Sequence, residues 1–197
     1  MNTHGIPRPS PESRTPTRAR PSTAPVALAT SLFAVGVVSG GISWLGRSAQ
    51  REAHVAGTAA WWPHLVLLAL TVLGAVWLAR RSADPLGLLL APLGARAAQR
   101  ITCTASAARR HPTAALRLLI SLLPLAVLAY SCWRVGEQLL GGLDPNFTVN
   151  AWGGPGYFGA MACHYLDAVL MMAAAAGLLH LLLLPAKGRS APPNSRG

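Results

Sequence analysis

The sequence predicts an all-α integral membrane protein with four transmembrane helices, and two observations support this. First, four segments are apolar over about 20 residues, the helix length that crosses a bilayer core of about 30 Å. They are residues 26–46, 59–79, 114–133 and 165–184. Second, only 12% of the 197 residues are charged, and almost all the cations lie between or beyond these segments. Core helices of soluble proteins rarely contain apolar blocks of this length.

The net charge of +11 does not indicate a nucleic-acid-binding protein. Binding to phosphate backbones needs cations gathered on a folded polar surface, often with aromatic residues among them. Here the cations flank apolar segments, as membrane topology requires. Sixteen of the 17 cations are arginine, and Ala, Gly and Pro are abundant, which is typical of chains encoded by GC-rich bacterial genomes. No nucleic-acid partner is therefore expected.

The N-terminal stretch 1–25, "MNTHGIPRPSPESRTPTRARPSTAP", is rich in Pro, Ser, Thr and Arg and predicts a disordered basic tail. The apolar segment that follows is longer than the 7–15 residues of a signal-peptide core, and "GRSAQ" is a poor cleavage site. We therefore interpret 26–46 as an uncleaved first span. Residues 26–185 form the predicted transmembrane domain, and 186–197 form a second tail.

The distribution of cations predicts that both termini are cytoplasmic. Fourteen of the 17 fall on the side that holds the two termini: Arg8, Arg14, Arg18, Arg20, Arg80, Arg81, Arg96, Arg100, Arg109, Arg110, Arg117, Lys187, Arg189 and Arg196. The opposite side holds Arg47, Arg51 and Arg134. Because Lys and Arg concentrate in cytoplasmic segments, this imbalance favours an N-in, C-in protein of the plasma membrane.

Between the second and third spans, residues 85–110 predict an interfacial cytoplasmic segment. Its first part, "PLGLLLAPLG" (85–94), is apolar but too short to cross a bilayer. Its second part, "ARAAQRITCTASAARR" (95–110), has helical potential with cations at both ends. We expect this segment to lie on the inner leaflet with its arginines near lipid phosphates, and docking of a soluble partner is the alternative.

The last two helices are predicted to extend beyond the bilayer on the outer side. The third continues past residue 133 to Gly141, and Pro124 inside it predicts a kink. Pro155 is a good first-turn residue, so the fourth helix is predicted to start near 155. A helix from there to 184 is about 45 Å long and exceeds the hydrocarbon by roughly 15 Å. Its first turns must therefore project outward.

Four ionisable residues fall at similar depth on these two helices: Arg134, Glu137, His164 and Asp167, here called the polar cluster. Charges at membrane depth usually face a partner or a water-filled cavity. Either Asp167 pairs with Arg134 and Glu137 with His164 or water, clamping the helices, or the cluster forms an outward-facing site for a proton, cation or small polar ligand. One histidine and two acidic residues provide too few ligands to predict a metal site. We interpret the isolated His64 as an interfacial side chain.

Small residues at four-residue spacing predict close helix contacts. They are Gly36 with Gly40 in the first span, and Gly156 with Ala160 and Ala173 with Gly177 in the fourth helix. Contact within one chain is favoured over a homodimer seam. Three scattered cysteines are too few for a disulfide framework. Cys132 and Cys163 fall at similar depth on the outer side, so a bridge between them is an alternative to two buried free thiols.

No nucleophile elbow, P-loop, nucleotide-binding turn, H-E-x-x-H or C-x-x-C is present, so neither an enzyme nor a cofactor is expected. The favoured interpretation is an accessory or structural membrane component whose partners are lipid and a second protein or another copy of itself. The alternative is a small transporter or channel whose site is the polar cluster. The absence of an inverted repeat weighs against a complete monomeric transporter.

Overall fold

The computed structural model describes residues 22–82 and 91–186. Most of the predicted N-terminal tail, most of the apolar stretch 85–94 and nearly all of the C-terminal tail lie outside the described residues. The described residues form helices and connecting turns and contain no strand. The elements are α1 (Thr23–Leu45), α2 (Trp61–Arg81), a 3₁₀ turn (Ala91–Leu93), α3 (Ala95–Ala108), α4 (Pro112–Gly141), α5 (Pro145–Thr148) and α6 (Tyr157–Leu182).

Four of these helices, α1, α2, α4 and α6, are long and apolar enough to cross a membrane. They contain 23, 21, 30 and 26 residues and coincide with the four segments that hydropathy predicts. The all-helical class and the number of long apolar helices are therefore confirmed. The extension of the third long helix past the bilayer-length segment is also present, because α4 ends at Gly141 where the Gly-Gly pair begins.

The chain runs through Pro124 without ending α4. Proline lacks a backbone N–H and disturbs the preceding turn of a helix. Near this point the buried Ser121 hydroxyl donates to the Arg117 carbonyl at 2.7 Å, one turn earlier. The carbonyl that Pro124 leaves without its usual donor is that of Ile120, four residues earlier, so this hydroxyl serves a different carbonyl of the same helix.

Helices α1 and α4 pack closely against each other through glycines. A Cβ added to Gly36 would lie 2.0 Å from the Trp133 carbonyl oxygen, and one added to Gly40 would lie 2.1 Å from that of Glu137. From the other side, a Cβ on Gly136 would lie 2.2 Å from the Phe33 carbonyl oxygen. The backbones of α1 and α4 therefore touch directly, and only glycine allows this approach.

The outward surfaces of the long helices are strongly apolar, and α2 is the least packed. Only 6% of its most apolar window is buried, against 11–17% in the other three long helices. Large side chains such as Leu73 on α2, Leu123 on α4 and Leu181 on α6 are more than half exposed. Stability in water would require these surfaces to be covered, so the fold is compatible with a membrane protein.

Each end of the bundle carries one of the shorter helices, and we name the ends after them: the α3 end and the α5 end. The α3 end contains the starts of α1 and α4 and the ends of α2 and α6. The α5 end contains the ends of α1 and α4 and the starts of α2 and α6. At the α3 end the Ser22 amide donates to the Leu93 carbonyl at 2.9 Å, which ties the start of α1 to the 3₁₀ turn.

Helix α3 packs against α4 and closes the end of α6. The Arg100 guanidinium donates to the Leu184 carbonyl at 3.1 Å, to the His180 carbonyl at 2.6 Å and to the Leu183 carbonyl. It also contacts His180 Nδ1 at 2.9 Å. The last carbonyls of a helix lack internal partners and attract cations. Arg100 therefore caps the end of α6, and the location of the α3 arginines near lipid phosphates stays a prediction.

Candidate functional site

The α5 end is covered by two loops that two asparagines join together. Asn146 donates from Nδ2 to the Gln50 carbonyl at 2.9 Å, and its Oδ1 accepts from the Glu52 amide at 3.0 Å. The Asn150 Oδ1 accepts from the Val55 amide at 2.8 Å. Asp144 caps the short helix α5 by accepting from the Asn146 amide at 2.9 Å. The two loops therefore form one structured cover over the starts of α2 and α6.

The turn that enters α6 lies directly against that helix. Gly153 has φ +77°, and a Cβ there would lie 2.2 Å from the Gly159 carbonyl oxygen and 2.6 Å from the Cys163 sulfur. Both the backbone conformation and the lack of space therefore require glycine. The turn places the preceding residue, Trp152, beside His64 of α2, with ring centroids 5.2 Å apart.

Arg134 and Glu137 form an ion pair within α4. The Arg134 Nη1 donates to the Glu137 Oε2, and the Glu137 side chain is 11% exposed. The Arg134 guanidinium carbon also lies 5.1 Å from the centre of the Phe147 ring, a cation–π arrangement. The Phe147 ring in turn meets His164 edge-on, with 6.3 Å between centroids. Phe147 of α5 thus connects Arg134 on α4 with His164 on α6.

Asp167 of α6 pairs with His64 of α2. The His64 Nε2 lies 3.4 Å from the Asp167 Oδ2, and the His64 Nδ1 lies 2.7 Å from the Ala60 carbonyl oxygen. The histidine side chain is 6% exposed, while the aspartate side chain is 28% exposed. Both ring nitrogens of His64 are therefore engaged, and the carboxylate of Asp167 remains partly exposed.

The structure brings the polar cluster together at the α5 end, but with different pairs from those expected. His164 lies near these groups, because its ring meets the Phe147 ring that also contacts Arg134. The expected Asp167–Arg134 and Glu137–His164 contacts are replaced by Asp167–His64 and Glu137–Arg134. Sequence reasoning missed His64 as a partner. The available signal was its position at the start of the second span, at the same predicted depth as Asp167.

The predicted packing residues divide into two groups. Gly36 and Gly40 lie in the α1–α4 contact, and Ala160 is fully buried. Gly156, Ala173 and Gly177 are exposed, and a Cβ on either of the two glycines would meet nothing within 4 Å. Five glycines that the spacing rule did not single out also have no room for a Cβ: Gly136, Gly142, Gly153, Gly154 and Gly159. Cys103, Cys132 and Cys163 are all free thiols.

The described residues contain no group of three His, Cys, Asp or Glu side chains arranged to hold a metal ion. Two surface depressions, of about 150 and 290 Å³, lie between the two loops of the α5 end, and Arg51, Pro145 and Asn146 line both. Neither is lined by a residue of the polar cluster. The α5 end offers charge pairing and proton binding by its histidines and carboxylates.

Comparison of the chain with models of known protein families, with curated proteins and with solved structures gives no match.

Proposed function

We propose that the chain is a multi-pass protein of a bacterial plasma membrane that spans the bilayer four times, with both termini in the cytoplasm. The long helices expose apolar side chains over most of their surface, which suits hydrocarbon. Among the described residues, seven arginines lie at the α3 end and three at the α5 end. The positive-inside rule therefore directs the α3 end to the cytoplasm.

Within that membrane we infer an accessory or structural role rather than an enzymatic one. The observation that carries this inference is that the two acidic side chains of the polar cluster each have a partner within the chain, Glu137 in Arg134 and Asp167 in His64. Ionisable groups at membrane depth are costly unless they are paired. Here the His64–Asp167 pair joins α2 to α6, so these groups fasten the bundle. Lipid surrounds it, and the apolar surface of α2 is available to a second protein or another copy.

The fastening role is tested by melting the purified protein in mild detergent. Asp167→Asn removes the carboxylate from His64 and is expected to lower the melting temperature by about 2–4 °C, because polar contacts between membrane helices are worth about 1 kcal/mol. Glu52→Gln is the matched control, since Glu52 lies in the exposed outer loop and its backbone amide makes the described contact. Equal melting of wild type and Asp167→Asn would contradict the fastening role.

The orientation is tested separately with green fluorescent protein fused to the chain, because this reporter fluoresces in the cytoplasm but not after export in unfolded form. A fusion at Gly197 is expected to fluoresce, and a fusion after Gln50 in the outer loop is expected to stay dark. A dark fusion at Gly197 would refute the N-in, C-in topology.

The alternative function is a small transporter or channel with the polar cluster as its outward-facing site. One observation favours it: Asp167 is 28% exposed at the outer side although its partner is buried. In that case Asp167→Asn would keep the wild-type melting temperature and abolish proton or cation flux into proteoliposomes. Determining the mass of the intact complex purified from its native membrane then shows whether a second protein or another copy is bound.

A further inference from the structure

The two hydrogen-bond contacts of the His64 ring determine which of its nitrogens must carry a hydrogen. The Ala60 oxygen, 2.7 Å from His64 Nδ1, is a backbone carbonyl and can only accept, so Nδ1 carries a hydrogen. A neutral imidazole with a hydrogen on Nδ1 has a lone pair on Nε2. That atom faces the Asp167 Oδ2 at 3.4 Å. Two acceptors would then oppose each other unless one further proton lies on Nε2 or on the carboxyl group.

This contact also holds a helix that has few other attachments. Within the described residues it is the only side-chain hydrogen bond from α2 to another long helix. The remaining contacts near it are apolar: the Trp61 ring lies against Gly159, and the Trp152 ring lies against His64. Because so little of α2 is buried, a change at this one contact changes a large share of its attachment.

We propose that His64 and Asp167 together bind a single proton and that this proton latches α2 to α6. The proposal rests on the fastening role proposed above and adds its regulation. When the pair is protonated, the Nε2–H bonds to the carboxylate. When the external pH rises, the proton leaves to water through the exposed side of Asp167, the two acceptors repel, and α2 loosens. The latch is therefore closed in acid and open in alkali on the outer side.

Other charged and titratable groups face this site and must be separated from it. From α6 they are His164 and Cys163, which precede Asp167 by three and four residues on the same helix. From α4 they are Arg134 and Glu137, which neutralise each other. The covering loop contributes Trp152, which carries no charge. His164 is the competing histidine, so its removal provides the matched control.

The test follows the melting temperature of the full chain in detergent from about pH 5 to about pH 9, a range across which ordinary histidines titrate. Wild type and His164→Gln are expected to show a stabilising step of about 2–4 °C toward low pH. His64→Gln is expected to lack this step. A step retained in full by His64→Gln, or absent from wild type, overturns the latch.

The outcomes separate the latch from the fastening role. If His64→Gln lowers the melting temperature equally at every pH, the fastening role holds and the proton dependence is overturned. If His64→Gln fails to fold, nitrogen NMR of labelled wild-type protein replaces it. The expected result is that His64 Nδ1 keeps its hydrogen across the range while the Nε2 hydrogen is lost as the pH rises. If His64 keeps one protonation state across this pH range and Asp167 loses no proton, the proposal is overturned.

Discussion

Replacing Gly40 by alanine should separate α1 from α4, and the structure gives the magnitude. The new methyl carbon would lie 2.1 Å from the Glu137 carbonyl oxygen and 3.0 Å from the Gly141 amide nitrogen. Both atoms belong to the backbone of α4, so neither can rotate away. Relief requires the helices to move apart by about 1 Å, a gap that forfeits a quarter to a half of each van der Waals contact across the seam.

The expected cost is about 2 kcal/mol, in the usual range for overpacking a well-packed interface. For a chain of this length that corresponds to a fall in melting temperature of about 4–8 °C. Gly74→Ala is the control, because a Cβ at Gly74 meets nothing within 4 Å. The same substitution there removes only the helix penalty of glycine and is expected to leave the melting temperature unchanged or slightly raised.

The melting experiment has a reporter already present in the chain. All three cysteines are free, and Cys163 is buried beneath the Gly153 turn, so a thiol-reactive dye becomes fluorescent as the bundle opens. Measured in this way, Gly40→Ala should melt well below wild type and Gly74→Ala should not. Equal melting of the two variants would refute the direct backbone contact between α1 and α4.

Two further outcomes are expected. Arg100→Gln should fray the end of α6, because the chain loses the charged donor to the carbonyls of His180 and of Leu183 and Leu184, which follow the helix. Faster amide exchange at His180 in Arg100→Gln, with unchanged exchange in Arg96→Gln, would show it. Gly153→Ala should lower the melting temperature by at least about 4 °C, because this residue has φ +77° and lies directly against α6. Gly156→Ala is the control and should melt at the wild-type temperature, because a Cβ there meets nothing within 4 Å. Equal melting temperatures of the two variants would contradict the described turn.

Hydropathy and charge were sufficient to predict the four long helices. The free energy of transferring a side chain into an apolar environment depends largely on that residue alone. The transfer free energy of a segment can therefore be summed along the sequence without knowing which residues are its neighbours in space. The same reasoning predicts that α4 runs on to Gly141, because only a helix-breaking pair ends the pattern. The predicted tails and the apolar half of the inner segment lie largely outside the described residues.

Partner choice was not predictable in this way. The depth of a residue along a helix axis follows from counting residues. That count correctly predicted that Arg134, Glu137, His164 and Asp167 lie at one end of the bundle. Depth does not say which helix lies beside which, and several acids and bases share the same level. The pairing of Asp167 with His64 depends on α2 lying against α6, which is a lateral property of the fold.

The small residues show the same division between sequence and tertiary structure. The G-x-x-x-G spacing of α1 marks a face on which a backbone can approach. Its partner glycines in α4, Gly136 and Gly141, are five residues apart and do not form that pattern. The equally spaced Ala173 and Gly177 of α6 face outward. By itself the sequence determined the number, length and polarity of the helices, because those depend on each residue's own transfer energy. Only the tertiary structure decided which glycines touch and which charges pair, because those depend on the lateral arrangement of helices whose apolar surfaces are nearly interchangeable.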